Sequence, residues 1–264
     1  MDCLPSIPAL LHEIMRQLEK DDCSLGEVGM VIAKDIAITA KLLKLVNSAF
    51  FGLSRPILDP VEAVCYLGLE TVKTLVLTVS AFATFEKRNT DPISLESIWT
   101  HSLQVAASAR NIANAAGASK HVAEESFIAG MLHDIGKLAL AANLRGQYGK
   151  VFAAAEELGL SLHAAEEAAF GAHHGDVGGY LLSLWGLPPR VVDAITLHHE
   201  PQREPCRDFT PVAAVHIANG LCHEAADRCA GDQQFLNERF LEELGVTDHI
   251  TAWRELTCGG PRRR

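Results

Sequence analysis

The chain reads as an all-α protein, on three observations. Alanine and leucine dominate while β-branched alternation is scarce. Apolar residues recur at three- and four-residue spacing through most of the length. Helix-start signals, a Ser-x-x-Glu box and an Asp-Pro step among them, stand where the periodic runs begin. The 264 residues suffice for one large domain or two small ones, and a composition that is 48% hydrophobic and 21% charged belongs to a folded chain, not a disordered one.

In order, Leu10, Leu11, Ile14 and Leu18 predict a first helix. Ser24-Leu25-Gly26-Glu27 opens a second through Val28, Val31 and Ile32, and Ile38, Leu42, Leu43 and Val46 mark a third. Asp59-Pro60 supplies an N-cap and a first-turn proline for a short helix through Tyr66. A helix from Glu70 to about Glu86 follows. The polar stretch from Lys87 to Ser94 marks the main boundary, so three segments are expected: 1–92, 93–227 and a C-terminal extension, 228–264. The second half predicts helices over Leu95 to Ala116, His121 to about Asn143, Gly149 to Leu158 and Leu162 to Phe170. His174 to Trp185 is expected to be interrupted by Gly178-Gly179. A helix begun at Pro188-Pro189 ends at His198-His199, and Thr210-Pro211 caps one carrying His216 and Asn219.

The net charge of −10, from 33 acidic and 23 basic residues, argues against a nucleic-acid binder, and the one basic cluster is the terminal Arg262-Arg263-Arg264. No apolar run reaches the length needed to span a bilayer, and no secretory signal opens the sequence. Seven scattered cysteines without a Cys-x-x-Cys suit reduced thiols in a cytoplasm.

The chemistry concentrates on Ala129-Gly130-Met131-Leu132-His133-Asp134-Ile135-Gly136-Lys137. An imidazole beside a carboxylate is an ordinary divalent-metal pair, and burying both requires a metal, a hydrogen-bond network or an ion pair to satisfy them. Ala129 and Gly130 allow a second helix to come close, and Lys137, one turn after His133, can reach a phosphate or a carboxylate. His101, His174, His198, His199 and position 219 lie on successive helices, near helix ends or glycines, so antiparallel packing can gather them at one level of a bundle. His12, His121, His163 and His223 read as surface residues and His173 as a neighbour of the site. His216, three residues before Asn219, could share its face.

These motifs together resemble the HD superfamily of metal-dependent phosphohydrolases, and within it the HDOD (HD-related output domain) branch, related to HD-GYP domains. The resemblance rests on Leu4-Pro5-x-Ile7-Pro8, Asp35, Leu42-Leu43-x-Leu45-Val46-Asn47-Ser48-Ala49, Leu67-Gly68, Trp99-x-His101-Ser102, the stretch from Ala129 to Lys137, Phe170-Gly171-x-x-His174-x-x-Val177-Gly178, and Trp185-Gly186-Leu187-Pro188. It covers residues 4–225 and implies an HD-like multi-helix bundle with an N-terminal helical subdomain. It also implies a bacterial signalling output that acts on signalling proteins, with a receiver or sensor domain in cis or trans. In catalytic relatives, the positions matching His101, His133, Asp134 and a later Asp bind one metal. Those matching His174, His198 and His199 extend the site to two or more, and Lys137 matches a phosphate-contacting lysine. The implied cofactor is one or two divalent ions of the iron, manganese or zinc type.

Two departures bear on activity. The later Asp is Asn219, whose amide oxygen can coordinate but carries no charge. His198-His199-Glu200 is followed by Pro201-Gln202-Arg203, with no Gly-Tyr-Pro. Both favour a regulatory module that retains a metal site over a working phosphohydrolase or phosphodiesterase, in which Asp134 and Lys137 would take catalytic parts.

Overall fold

The structure, a computed structural model, describes residues 16, 24–34, 36–47, 53, 55–86, 88–205, 208–226 and 235–258. All regular structure among them is helical. The chain divides into two compact units, with the described residues up to Glu86 in one and those from Arg88 in the other.

The first unit contains α1 (Leu25–Ala33), α2 (Ile36–Val46), α3 (Pro60–Leu67) and α4 (Leu69–Ala83). Ser24 caps α1 as a capping box: its hydroxyl accepts from Glu27 N while the Glu27 carboxylate accepts from Ser24 N. Asp59 accepts from Val61 N, with Pro60 in the first turn of α3. α1 packs on α3, and α2 and α3 both pack on α4. Asn47 fastens the intervening loop to the end of α2: Oδ1 accepts from Ile57 N, and Nδ2 donates to the carbonyls of Leu43 and Ile57.

The second unit contains α5 (Leu95–Ala115), α6 (Lys120–Leu132), α7 (Ile135–Leu158), α8 (Leu162–Phe170), α9 (His174–Leu184), α10 (Pro189–Leu197), α11 (Pro211–Ala226), α12 (Glu238–Leu244) and α13 (Ile250–Cys258). α5 lies against α6 and α11, while α10 packs on α6, α9 and α11. α7 packs on α8 and α9, and α13 rests on α5 and α11. The α5–α6 crossing is close because position 130 lacks a side chain. A Cβ there would lie 2.6 Å from Ala106 Cα and 2.8 Å from Ala106 N. Gly136 brings α7 equally close to α9, since a Cβ would meet the His174 carbonyl oxygen at 1.9 Å.

Two local expectations change. One helix was expected to run through His133-Asp134, but α6 ends at Leu132 and α7 starts at Ile135, so the pair forms the turn between them. α7 then reaches Leu158 in two helical stretches joined by a kink at Arg145 (φ 38°, ψ −114°), which falls between the expected end near Asn143 and the expected start at Gly149. Gly178 and Gly179 do not interrupt α9. They allow contact with its neighbours: a Cβ on Gly178 would lie 3.2 Å from Gly136 N, and one on Gly179 2.0 Å from Thr196 Oγ1. All of the first expected helix but Arg16, together with His12, Asp35, Ser48-Ala49 and the terminal arginines, lies outside the described residues.

Gly130→Ala tests the α5–α6 crossing. Alanine favours a helix, yet its methyl here meets backbone that cannot rotate away, so overpacking outweighs propensity. The expected result in chemical denaturation is a loss of about 1–3 kcal/mol.

Candidate metal centre

The turn between α6 and α7 sets the site. Asp134 occupies the N-cap position of α7 without capping it, which leaves its carboxylate for other partners. Oδ2 accepts from Lys137 Nζ at 2.8 Å, and Oδ1 is buried without a hydrogen-bond partner, 3.5 Å from His133 Nε2 and 3.3 Å from His174 Nε2. The sequence-predicted residues fall into two adjacent groups. His101, His133 and Asp134 offer ligand atoms within 4.8 Å of one another, and so do His174, His198 and His199. The groups adjoin, with ring centroids 5.0 Å apart between His133 and His198. Asn219 joins the first group from α11, its Oδ1 2.9 Å from His101 Nε2.

A carbonyl can only accept, so contacts with carbonyls place the ring protons. His133 Nδ1 donates to the Gly130 carbonyl at 2.9 Å and His198 Nδ1 to the Ile195 carbonyl at 2.7 Å. Both Nε2 lone pairs therefore face the cluster, and both are buried without a partner. Burial lowers His133 to about 4 and lowers His198 well below the ordinary range, so both rings are neutral. Burial also lowers His101 and His199. Burial opposes the charge on Asp134, but His133, Lys137 and His174 outweigh it and hold the carboxyl well below its usual range.

His174 has a different anchor. Its Nδ1 lies 2.6 Å from Glu166 Oε2, which also accepts from His174 N at 2.8 Å, while Tyr148 donates to Glu166 Oε1 at 2.6 Å. Burial opposes charge on both partners of this pair, but the carboxylate raises His174 and the imidazolium lowers Glu166. The second proton of His174 is on Nε2, 2.9 Å from His199 Nε2. A metal ion would replace that proton, and the outer carboxylate would then make the ring a stronger donor.

The donor set fits a divalent transition ion. Two imidazole nitrogens and one carboxylate oxygen are buried, unpartnered and directed into one cluster, an arrangement that is costly without an ion to satisfy it. Imidazole-rich sites suit zinc, iron or copper better than magnesium or calcium.

Glu166 and Tyr148 escaped the sequence reading, because Glu166-Glu167 looks like a solvated face. His163 and His223 were expected at the surface, but both adjoin the cluster. The His163 ring stacks on His199 at 4.1 Å and 16°, and the His223 ring lies 4.8 Å from His101. Burial lowers them to about 4 and about 3. His121 is exposed, as expected. Both nitrogens of His216 are engaged away from the cluster: Nδ1 donates to the His198 carbonyl at 2.8 Å and Nε2 accepts from Asn237 N at 3.0 Å. His173 caps α9 through Nδ1, which accepts from Gly175 N. A cavity of about 780 Å3 reaches the cluster, with Lys137, His163, Asn219, Phe235 and Arg239 among its lining residues.

A helical bundle with a His-Asp turn and inward-facing imidazoles defines a domain of the HD type. The HDOD domain pattern matches residues 4–201, and the chain belongs to that family. An HDOD domain protein of unknown function from Geobacter sulfurreducens superposes with a TM-score of 0.75 at 28% identity, over 98% of this chain and 85% of that one. A protein from Shewanella amazonensis, named as a proposed phosphohydrolase, has the same fold with a TM-score of 0.75 at 22% identity, covering 96% of this chain and 90% of its own. An uncharacterized protein of Treponema pallidum is 29% identical over 220 residues, or 83% of this chain. The chain spans 42% of the length of that relative.

The Glu166–His174 pair makes metal-free stability depend on pH. Glu166 is depressed, so its contribution is complete above the ordinary carboxylate value of 4.5 and lost as pH falls through its lower folded value. His174 is raised, so its contribution is complete below the ordinary value of 6.5 and lost as pH rises through its higher folded value. Thermal melts of wild type and Glu166→Gln should therefore differ most between pH 4.5 and 6.5 and converge on either side.

Proposed function

We propose that this chain is a regulatory HDOD module with a retained metal site, which passes a signal through contacts with signalling proteins or a bound ligand. The observation that carries this reading is the convergence of the unpartnered His133 Nε2, His198 Nε2 and Asp134 Oδ1 in one buried cluster. His101, His133, Asp134, His174, His198 and His199 would hold one or two ions of the iron, manganese or zinc type, cross-linking α5, α9 and the turns after α6 and α10. The scattered cysteines favour a cytoplasmic setting. Among the described residues no helix is long and apolar enough to cross a membrane.

Two observations favour regulation over turnover. Lys137, the residue expected to contact phosphate, is on Asp134 instead. Asn219 brings no charge where the resemblance implies a carboxylate, and its oxygen is engaged with His101. A second reading, a metal-dependent phosphohydrolase, is supported by the cavity of about 780 Å3 that reaches the cluster. When bound, the ions would supply Lewis acidity and a lowered pKa for water. Lys137 would have to leave Asp134 to offset charge on a phosphate.

Elemental analysis of protein purified without chelator or added metal tests the reading. Near-stoichiometric iron, manganese or zinc should be found, and the double substitution His133→Ala/His198→Ala, which removes one donor from each group, should lose most of it while remaining folded by circular dichroism. A wild type that carries no metal and takes none up would overturn the metal site. Phosphoester hydrolysis by loaded wild type, abolished in His133→Ala, would move the assignment to the hydrolase.

A further inference from the structure

The two groups of donors are unequal, and the inequality opposes the order that the resemblance suggests. There, His101, His133 and Asp134 form the primary site and His174, His198 and His199 the extension. In this chain the first group has prior engagements. Its one carboxylate gives Oδ2 to Lys137 Nζ at 2.8 Å, so an ion taking both oxygens must displace a half-buried ammonium. His101 Nε2 lies 2.9 Å from Asn219 Oδ1, and an amide oxygen can only accept, so that nitrogen carries the ring proton. Coordination through it requires the contact to break and the tautomer to change. Asn219 contributes no charge to compensate.

The second group has one engagement, the His174 Nε2 proton 2.9 Å from His199 Nε2, which an ion replaces by binding both nitrogens; the rest of it is organised in advance. His198 presents a bare Nε2, its Nδ1 proton fixed on the Ile195 carbonyl. His216 donates to the carbonyl of His198 and so holds the backbone of the His198–His199 turn. The His163 ring lies flat on His199 and restricts the plane of that imidazole. Glu166, itself held by Tyr148, accepts from His174 Nδ1, an outer carboxylate that strengthens the ring as a donor. Three imidazoles with one open position are a donor set that zinc accepts without a carboxylate.

We propose that the first ion is held by His174, His198 and His199, and that the half-site around His133-Asp134 fills second and more weakly. This rests on the metal-binding reading above and assigns to the imidazole triad the structural ion that any signal would have to work through. Lys137 acts as a competitor for Asp134, keeping the second half-site weak.

The test is zinc titration of chelator-stripped protein by calorimetry, repeated with cobalt(II) to read coordination from its visible spectrum. Circular dichroism and a thermal melt accompany each variant. Wild type should show two classes of site separated by tenfold or more. His101→Ala should keep the tight class and lose the weak one, while His199→Gln should lose the tight class. Glu166→Gln should weaken the tight class about 10–100-fold. Lys137→Met, which frees the Asp134 carboxylate without removing a ligand, should strengthen the weak class and leave the tight one unchanged. Should His199→Gln misfold, Glu166→Gln and Lys137→Met carry the test. The ordering is overturned if His101→Ala abolishes tight binding while His199→Gln keeps it, if both abolish it equally, or if Glu166→Gln leaves it unchanged. Each of those results leaves the metal-binding reading standing. Absence of zinc and cobalt binding by wild type would overturn both.

Discussion

A neutral imidazole has one ring proton, and the fold at His133 and His198 fixes where it goes. In both rings Nδ1 donates outward, to the carbonyls of Gly130 and Ile195, and His174 likewise turns Nδ1 to the carboxylate of Glu166, with its second proton on Nε2. Nε2 is left facing the cluster. The rest of the site follows from that choice, because a ring held at one nitrogen has its plane and its free donor fixed together. The two carbonyl acceptors each lie three residues before the histidine they hold, near the C-terminal ends of α6 and α10. Helix ends leave carbonyls unpaired by the ladder, and these two find partners in the imidazoles that follow them.

That geometry needs helices nearer than ordinary side chains permit. Gly130 at α5 and Gly136 at α9 remove the atoms that would hold the turn away from its neighbours. The cost of placing glycine in the last turn of α6 and the first turn of α7 is offset by contact with the backbone opposite. Gly178 and Gly179 do the same for α9 against α7 and α10. The small residues and the titratable ones are thus parts of one arrangement.

The helical class, the capping box at Ser24, the Asp59-Pro60 start and the gathering of His101, His133, Asp134, His174, His198, His199 and Asn219 were legible from spacing and from the family motifs. Less legible was whatever depends on three-dimensional direction. His133-Asp134 reads as mid-helix because the apolar pattern continues through it, whereas two backbone angles make it a turn. Gly178-Gly179 reads as a break because sequence shows the missing side chain but not the neighbour that needs the space. Glu166, His163 and His223 sit in stretches that look solvated, and only the packing of α8 and α11 shows them turned inward. Asn219 was found by alignment to a motif, but its engagement with His101 depends on a rotamer that no pattern encodes.

His216 joins two parts of the chain that are distant in sequence. One nitrogen holds the carbonyl of His198 and the other receives the amide of Asn237, just before α12. A ring is rigid, so those two backbone groups are spaced by a strut of fixed length. A shift of the His198 carbonyl must therefore either break one of the two bonds or be passed to Asn237. The C-terminal helices are in this way mechanically geared to the innermost turn of the bundle, although none of their residues contributes to the cluster itself.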